Sequence, residues 1–168
     1  GGLVILGRTT LNSAANPAGN IASPIYEVYE GLPDLIKDGE AVLRFGGNDD
    51  NDNSGVLRYV SIRHGGKALF QNKEINGLSL GAVGRGTTIE FVESYCAADD
   101  GFEFFGGTVN TKYLVSSFND DDSFDVDQGY RGTNQFWFAI QAPDKRNYGM
   151  ELNNQVNELQ QTTQLTPA

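Results

Sequence analysis

Cysteine, histidine, tryptophan and methionine each occur once in this sequence, as Cys96, His64, Trp137 and Met150. One cysteine rules out an intrachain disulfide, so pairing says nothing about redox compartment. With one histidine besides, there is no Cys/His zinc spacing, and no Ser-His-Asp order emerges for nucleophilic catalysis. Long apolar runs are missing too: none approaches the roughly 18 consecutive residues of a membrane span. The opening Gly1-Gly2-Leu3-Val4-Ile5-Leu6-Gly7 has no basic n-region and no cleavage site. It reads as a strand entered in mid-pattern, as in a mature or trimmed chain. Positive charge is scarce, with 12 Lys and Arg against 22 Asp and Glu and a formal net charge of -10. That balance repels nucleic acid and anionic membranes and favours cations and neutral polar partners.

Glycine, by contrast, is abundant, at 21 of 168 residues, and hydrophobic residues make up 39%. This composition favours one domain of short strands and tight turns over long helices. The strands repeat. Asp99-Asp100-Gly101-Phe102-Glu103-Phe104 returns 121 − 99 = 22 residues later as Asp121-Asp122-Ser123-Phe124-Asp125-Val126. The same offset lays Ile89-Glu90-Phe91-Val92 on Thr111-Lys112-Tyr113-Leu114, then Thr111 on Thr133 and Leu114 on Phe136. Longer offsets bring in Leu78 (102 − 78 = 24), Leu57 (89 − 57 = 32) and Met150 (150 − 102 = 48). The offset of 32 implies an inserted loop within 65–74.

Apolar residues alternate with period two inside each unit, as strands require. Three columns follow: Val60, Val92, Leu114 and Phe136; Leu78, Phe102, Phe124 and Met150; Leu80, Phe104, Val126 and Leu152. A period near 22 with two strand segments is too short for a propeller blade and lacks the helical half of a leucine-rich repeat. The expectation is an all-β, right-handed parallel β-helix over 1–152, a solenoid with rungs of about 22 residues and loop insertions. Leu3–Leu6 and 41–45 are further candidate rungs, and 8–40, with Pro17, Pro24 and Pro33, is a long loop excursion. The stretch 153–168 is a polar tail or a degenerate rung without a visible cap. Such an end exposes unpaired strand edges, which a longer parent chain or an assembly would cover.

Five runs are distinctive: Gly2-Leu3-Val4-Ile5-Leu6-Gly7, Asn53-Ser54-Gly55-Val56-Leu57-Arg58-Tyr59-Val60-Ser61-Ile62-Arg63-His64-Gly65-Gly66, Glu74-Ile75-Asn76-Gly77-Leu78-Ser79-Leu80, Ala98-Asp99-Asp100-Gly101-Phe102-Glu103-Phe104-Phe105-Gly106-Gly107 and Gln135-Phe136-Trp137-Phe138-Ala139-Ile140-Gln141. They resemble a family of secreted, cell-surface right-handed parallel β-helix proteins of Bacteroidota and other Gram-negative bacteria. The likeness covers most of 1–141 and fades after Pro143. Members look like surface lipoproteins or large exported proteins, often with sorting domains beyond the β-helix, and the family offers no catalytic residues to carry over. The resemblance implies an extracellular or outer-membrane surface location.

Acidic residues line up under this repeat. Glu103, Asp125 and Glu151 share one outward position on successive rungs, preceded by Ser79. Strands lie about 4.8 Å apart, so neighbouring carboxylates repel by roughly 3–4 kcal/mol at an effective dielectric of 20 and under about 1 kcal/mol in bulk water. Relief would come from a bound Ca2+, a Lys or Arg on a flanking loop, a raised pKa, or splaying into solvent. In the turn, Asp99 lies over Asp121 and Asp100 over Asp122, with Asp120 beside them. These are either turn-favouring side chains bonded to nearby amides or a structural Ca2+ site. The loop Asp49-Asp50-Asn51-Asp52-Asn53-Ser54-Gly55 offers Asp50, Asp52 and Ser54 as oxygen ligands. Ser61 stands where an EF-hand needs an acid, so only a looser Ca2+ site is open there.

The acidic ladder is similar to the arrangement of pectate-lyase-like β-helices, which set Ca2+-binding carboxylates on one outer sheet beside a base. Read as a polysaccharide lyase or glycoside hydrolase, the chain would use Glu103, Asp125 and Glu151, with Arg131, Lys145 or Arg146 as the base. Stacked acids also arise by simple duplication of a solvated repeat surface. The reading adopted is a structural, adhesive or glycan-contacting surface module with Ca2+-stabilised turns and a polysaccharide or cell-surface partner; the enzyme is the alternative. Tyr59, Phe91 and Tyr113 face outward if Val60, Val92 and Leu114 face in, and they either offer a platform for sugar faces or only pack on one another. Trp137 falls opposite the apolar Val115, which leaves its direction open. His64 falls on Cys96, Phe118 and Ile140, an apolar column, and reads as a core or turn residue. Gly81-Ala82-Val83-Gly84-Arg85-Gly86 is glycine-rich but opens no helix, so it reads as a turn and not a phosphate loop.

Overall fold

The computed structural model describes residues 1–13, 25–70 and 73–153; Pro17, Pro24 and the tail from 154 onward lie outside the described residues. The described residues form strands and no helix, so no helix is long and apolar enough to cross a membrane. Two five-stranded sheets carry the architecture. The first runs Leu3–Leu6, Leu78–Gly81, Phe102–Phe105, Phe124–Asp127 and Glu151–Leu152 in that spatial order. The second runs Val56–Arg63, Thr88–Tyr95, Thr111–Ser117 and Asn134–Gln135, with Phe138–Ile140 also paired to Thr111–Ser117. Every pairing within both sheets is parallel. Parallel neighbours cannot be joined by a tight hairpin. The chain accordingly crosses from one sheet to the other before it returns to lay down the next strand.

Register stacks like on like. Leu3, Leu78, Phe102 and Phe124 are consecutive partners, as are Ile5, Leu80, Phe104 and Val126. The Phe102 and Phe124 rings are stacked with centroids 5.3 Å apart. Together with Val83, Ile89, Val92, Val109, Leu114 and Tyr130 they form one continuous core between the sheets.

Strict alternation holds in the first sheet but breaks in the second. Ile89 and Val92 are both buried, leaving Glu90 and Phe91 side by side on the outside. The cause is a left-handed residue at Phe91 (φ 54°), which turns the strand. Tyr59, Tyr113 and Phe136 share this conformation, with φ of 56°, 57° and 59°. His64, Cys96 and Phe118 form a second left-handed column, and Ala82, Gly106 and Gln128 a third. An L-residue pays about 1–2 kcal/mol for this backbone. Stacking of the aromatic column returns a comparable amount, roughly 0.5–1.5 kcal/mol per pair.

Three expectations need correction. Thr111 pairs with Asn134, not Thr133 (134 − 111 = 23), so the last layer is shifted by one residue. Leu114 is therefore followed by Trp137, and Phe136 leaves the core column to join the outer rings. The shift buries the larger ring: Trp137 lies 4.3 Å from Phe124 and 5.4 Å from Phe104, and its Nε1 donates to Thr111 Oγ1 at 2.8 Å. Next, His64, Cys96 and Phe118 are corner residues and not a core column, because their left-handed backbone turns the side chains outward; His64 and Phe118 are exposed. Finally, 41–45 is not a rung. Glu40–Ala41 pairs antiparallel with Ile36–Lys37, and Arg44–Phe45 antiparallel with Glu27–Val28. The loop placed within 65–74 is a hairpin of Lys67–Phe70 with Lys73–Ile75.

The described part of the excursion folds across the outer face of the first sheet. Leu11, Tyr29 and Phe45 pack there on Ala82 and Phe105, with Val4, Leu6, Leu32 and Ile75 at the margin. A polar tie fastens the neighbouring loop: Arg131, mostly buried, donates to Asp50 Oδ1 at 2.6 Å and to the carbonyls of Thr10 and Gly129 at 3.2 Å. Among the described residues this cover overhangs Glu103 and Asp127, and the other acidic residues of the sheet stand at its margin.

Candidate acidic cleft

Parallel register sets the outward residues Ser79, Glu103, Asp125 and Glu151 directly above one another on the first sheet. One step along the strands, Gly81, Phe105 and Asp127 make a neighbouring column. Glu103 points away from the core yet is buried, because the excursion overhangs it. Its carboxylate accepts from Asn76 Nδ2, which also donates to Ser79 Oγ at 3.1 Å. Ser79 Oγ and the buried Tyr29 hydroxyl share a hydrogen bond of 2.8 Å. Burial lifts the Tyr29 phenol above its ordinary value, so this hydroxyl stays protonated.

The turns preceding the strands add a second set. Asp100 Oδ1 accepts from the Asp122 amide at 2.9 Å, and Asp122 Oδ1 accepts from the Tyr148 amide at 2.5 Å. Each aspartate thus caps a backbone donor in the next layer, which is why an Asp recurs at this place. Asp99 and Asp121 stand beside them, while Asp120 is held by Lys145 at 2.7 Å.

Both sets open into one cleft of about 270 Å³ lined by Glu30, Glu74, Asp99, Asp100, Glu103, Asp121, Asp122, Asp125 and Glu151. All nine are carboxyl residues. The nearby cation Lys73 sits at the edge, paired with Glu30 at 2.7 Å. Such crowding cannot remain fully ionised in a desolvated site. Burial first, then the charges of Asp99 and Asp125, push Asp100 up to about 9. Burial followed by Glu74 raises Asp99 to about 7, and burial followed by Asp127 raises Asp125 to about 7. Asp122 rises to about 7 and Asp127 to about 6, chiefly by burial. Glu103 is lifted well above the carboxylate range by burial, Asp100 and Asp125.

Carboxylate oxygens of Asp99, Asp100 and Asp121 lie within 4.8 Å of one another, and so do those of Asp100, Glu103 and Asp125. Oxygens sharing one Ca2+ at about 2.4 Å can be at most about 4.8 Å apart, so both trios fit the ion. Asp125 Oδ1 is buried without a hydrogen-bond partner, an orphaned acceptor facing the same crowd. Hard, acceptor-only oxygens are the donor set Ca2+ prefers. Asp100 belongs to both trios.

Other sequence candidates go elsewhere. Asp50 is engaged by Arg131 and by the Thr10 amide at 3.2 Å, and Asp52 by Arg8 at 3.4 Å and by Ser54 Oγ at 2.8 Å. Both are paired with arginines, whereas among the described residues of the cleft only Glu30 has a cationic partner. Arg131 is part of that same tie, Lys145 holds Asp120, and Arg146 is exposed, so none of these bases lines the cleft.

Tyr59, Phe91 and Tyr113 do stack, extended by Phe136, at 4.8, 4.5 and 4.9 Å with planes within 10°. Face-to-face stacking consumes the surfaces that a sugar would use and leaves mainly ring edges. Only the two end rings keep a face open: Tyr59 is 73% and Phe136 64% exposed, against 36% for Phe91 and 40% for Tyr113. Of the residues that sequence reasoning missed, Asn76 carried a signal, since the turn spacing aligns it with Asp100 and Asp122. Asp127 follows from the alternation Asp125-Val126-Asp127. Tyr29, Glu30, Lys73 and Glu74 come from segments outside the repeat and gave none.

Stacked parallel sheets with left-handed corners and an acidic outer face are features of a parallel β-helix. Comparison with family models identifies the pectate-lyase-like beta helix domain, matched over residues 1–168, and the chain belongs to that family. No curated protein and no solved structure matches it.

Proposed function

We propose that this chain is a Ca2+-stabilised, glycan-contacting surface module, a right-handed solenoid with rungs of about 22 residues whose cleft between the excursion and the first sheet holds the ion. The observation that carries the reading is a cleft walled by nine carboxyl residues, with Asp125 Oδ1 buried and unpartnered inside it. Asp100, Glu103 and Asp125 form the inner ligand set and Asp99 and Asp121 the outer one. A bound Ca2+ supplies positive charge there and an acceptor site for oxygens of a neutral or acidic sugar. The family's likeness to pectate lyases supports a glycan-related role. An extracellular or outer-membrane surface location, where Ca2+ is plentiful, completes the proposal. Catalysis is the weaker reading, because the cation that lines the cavity with Glu103 is Lys73, and its ammonium is already held by Glu30 at 2.7 Å.

Calorimetric titration tests this. The protein should bind Ca2+ at neutral pH, and Asp100→Asn should weaken binding by about tenfold or more, because it removes a charge shared by both ligand sets. Absence of binding at millimolar Ca2+, or an Asp100→Asn variant that binds as the parent does, overturns the proposal.

A further inference from the structure

Beside the acidic cleft lies a second space. A cavity of about 370 Å³ separates the excursion from the first sheet and shares only Glu30 and Glu103 with the cleft. A volume of this size falls in the range of small-molecule sites. Gln128 is its unusual group. It continues the left-handed corner column of Ala82 and Gly106, where the earlier layers carry a small residue. A glutamine at φ 51° is strained, and strain of this kind collects at ligand sites. Its backbone is fixed on both sides: the amide donates to Asp127 Oδ1 at 2.6 Å, and the carbonyl accepts from the Asn12 amide at 3.0 Å. The residue is only 6% exposed, yet its Oε1 is buried with no hydrogen-bond partner. A buried carbonyl oxygen without a donor is costly, and a ligand that brings an N–H or O–H removes that cost.

The other walls say what that donor belongs to. Glu27, Glu30, Glu103 and Asp127 contribute carboxyl groups, against one cation, Lys73, whose ammonium Glu30 holds at 2.7 Å. Asp127, raised to about 6 chiefly by burial, is mainly ionised at pH 7. These oxygens are spread out, unlike those of the cleft. Among the described residues, neither carboxylate trio that closes to within 4.8 Å includes Glu27, Glu30 or Asp127. Such spacing is too wide for one metal ion and suits an organic ligand with several donors. Phe45 and Phe105, with centroids 5.9 Å apart, add apolar wall for a C–H surface. An ammonium group, several hydroxyl donors and an apolar C–H face occur together in an amino sugar.

We propose that this cavity binds an amino sugar with a free ammonium group, held by Asp127 and by Gln128 Oε1, its C–H face against Phe45 and Phe105. This names the ligand class of the glycan-contacting reading above and rests on it. Asp127 and Gln128 are not among the residues assigned to Ca2+, so the two sites can fail separately.

NMR titration of the full chain with D-glucosamine, at pH 7 and about 0.15 M NaCl to screen diffuse attraction to the acidic surface, tests the site. Glucosamine should bind. Glucose and N-acetylglucosamine, which lack the ammonium, and n-butylamine, which lacks the hydroxyls, should bind at least about tenfold more weakly. Gln128→Leu should weaken glucosamine binding about tenfold without unfolding the protein, since an apolar group replaces an unpaired polar one. Asp127→Asn, which keeps the shape of the side chain, should weaken it by at least as much. A readout that needs no variant is the parent protein itself, in which glucosamine should shift the backbone amides of Phe105 and Gln128. Equal binding of glucose or butylamine overturns the proposal, as does unaltered affinity in Gln128→Leu or a set of shifts confined to Asp99 and Asp121. Glucosamine that fails to bind protein still able to take up Ca2+ overturns it too, and leaves the Ca2+ reading standing.

Discussion

In the presence of a chelator, the protein should melt at a lower temperature at pH 8 than at pH 5, and Ca2+ should close most of that gap. Aspartates ionise near 3.8 in an unfolded chain, whereas in the fold Asp127 is raised to about 6, Asp99, Asp122 and Asp125 to about 7, and Asp100 to about 9. A raised carboxyl favours the folded state only while protonated. Its contribution is complete below about pH 4 and disappears as the pH climbs through the folded-state values, because the unfolded chain ionises first. A tenfold change in a carboxyl's acidity is equivalent to about 1.4 kcal/mol, so between pH 5 and pH 8 Asp125 alone would account for a loss on the order of 3 kcal/mol. A cation bound in the cleft replaces protons as the neutralising charge and stabilises the ionised form. Asp100→Asn should therefore flatten the chelator profile without added Ca2+. Thermal melts at the two pH values, with EGTA or Ca2+, decide the matter: a chelator profile independent of pH would mean that the carboxyls are not crowded as described.

Replacing Phe104 by Ala should cost about 3–5 kcal/mol in urea unfolding, the range for deleting a fully buried aromatic side chain. Phe104 is completely buried, 4.6 Å from the Tyr130 ring and 5.4 Å from Trp137, so its loss opens a cavity between two layers. Phe136→Ala is the informative comparison. Before the register of the last layer is known, Phe136 reads as a core residue of the Val92 column, yet its ring stands outside and is largely exposed. Its removal should cost under about 1.5 kcal/mol, the value of one aromatic pair. Equal losses at the two positions would argue for the unshifted register.

What the sequence revealed and what it hid divide along physical lines. Tandem repeats reveal contacts because register in stacked parallel strands is translation: once Phe102 and Phe124 align, Glu103 and Asp125 must too. The ladder Ser79–Glu103–Asp125–Glu151 and the turn pairing of Asp100 with Asp122 were readable for that reason. A single extra residue near Gly129–Thr133 defeats the same logic, exchanging Phe136 for Trp137, since nothing in the local spelling favours 22 over 23. Left-handed corners were hidden because bulky residues rarely adopt φ > 0, and aromatic side chains give no warning that they do. The burial of Glu103 was invisible as well, depending on Tyr29 and Glu30 from a segment with no repeat partner. One hairpin signal in that segment was present: Asp38-Gly39, with φ 53° and 86°, is the two-residue turn joining Ile36–Lys37 to Glu40–Ala41. It marks 41–45 as a hairpin arm and not a rung.

Diffraction from crystals grown in millimolar Ca2+ at pH 8 addresses the acidic cleft most directly. The account predicts an anomalous peak with Asp100 and at least one of Glu103, Asp125, Asp99 or Asp121 at about 2.3–2.6 Å. Ordered water alone between those carboxyl groups, under conditions where they should be ionised, would contradict it.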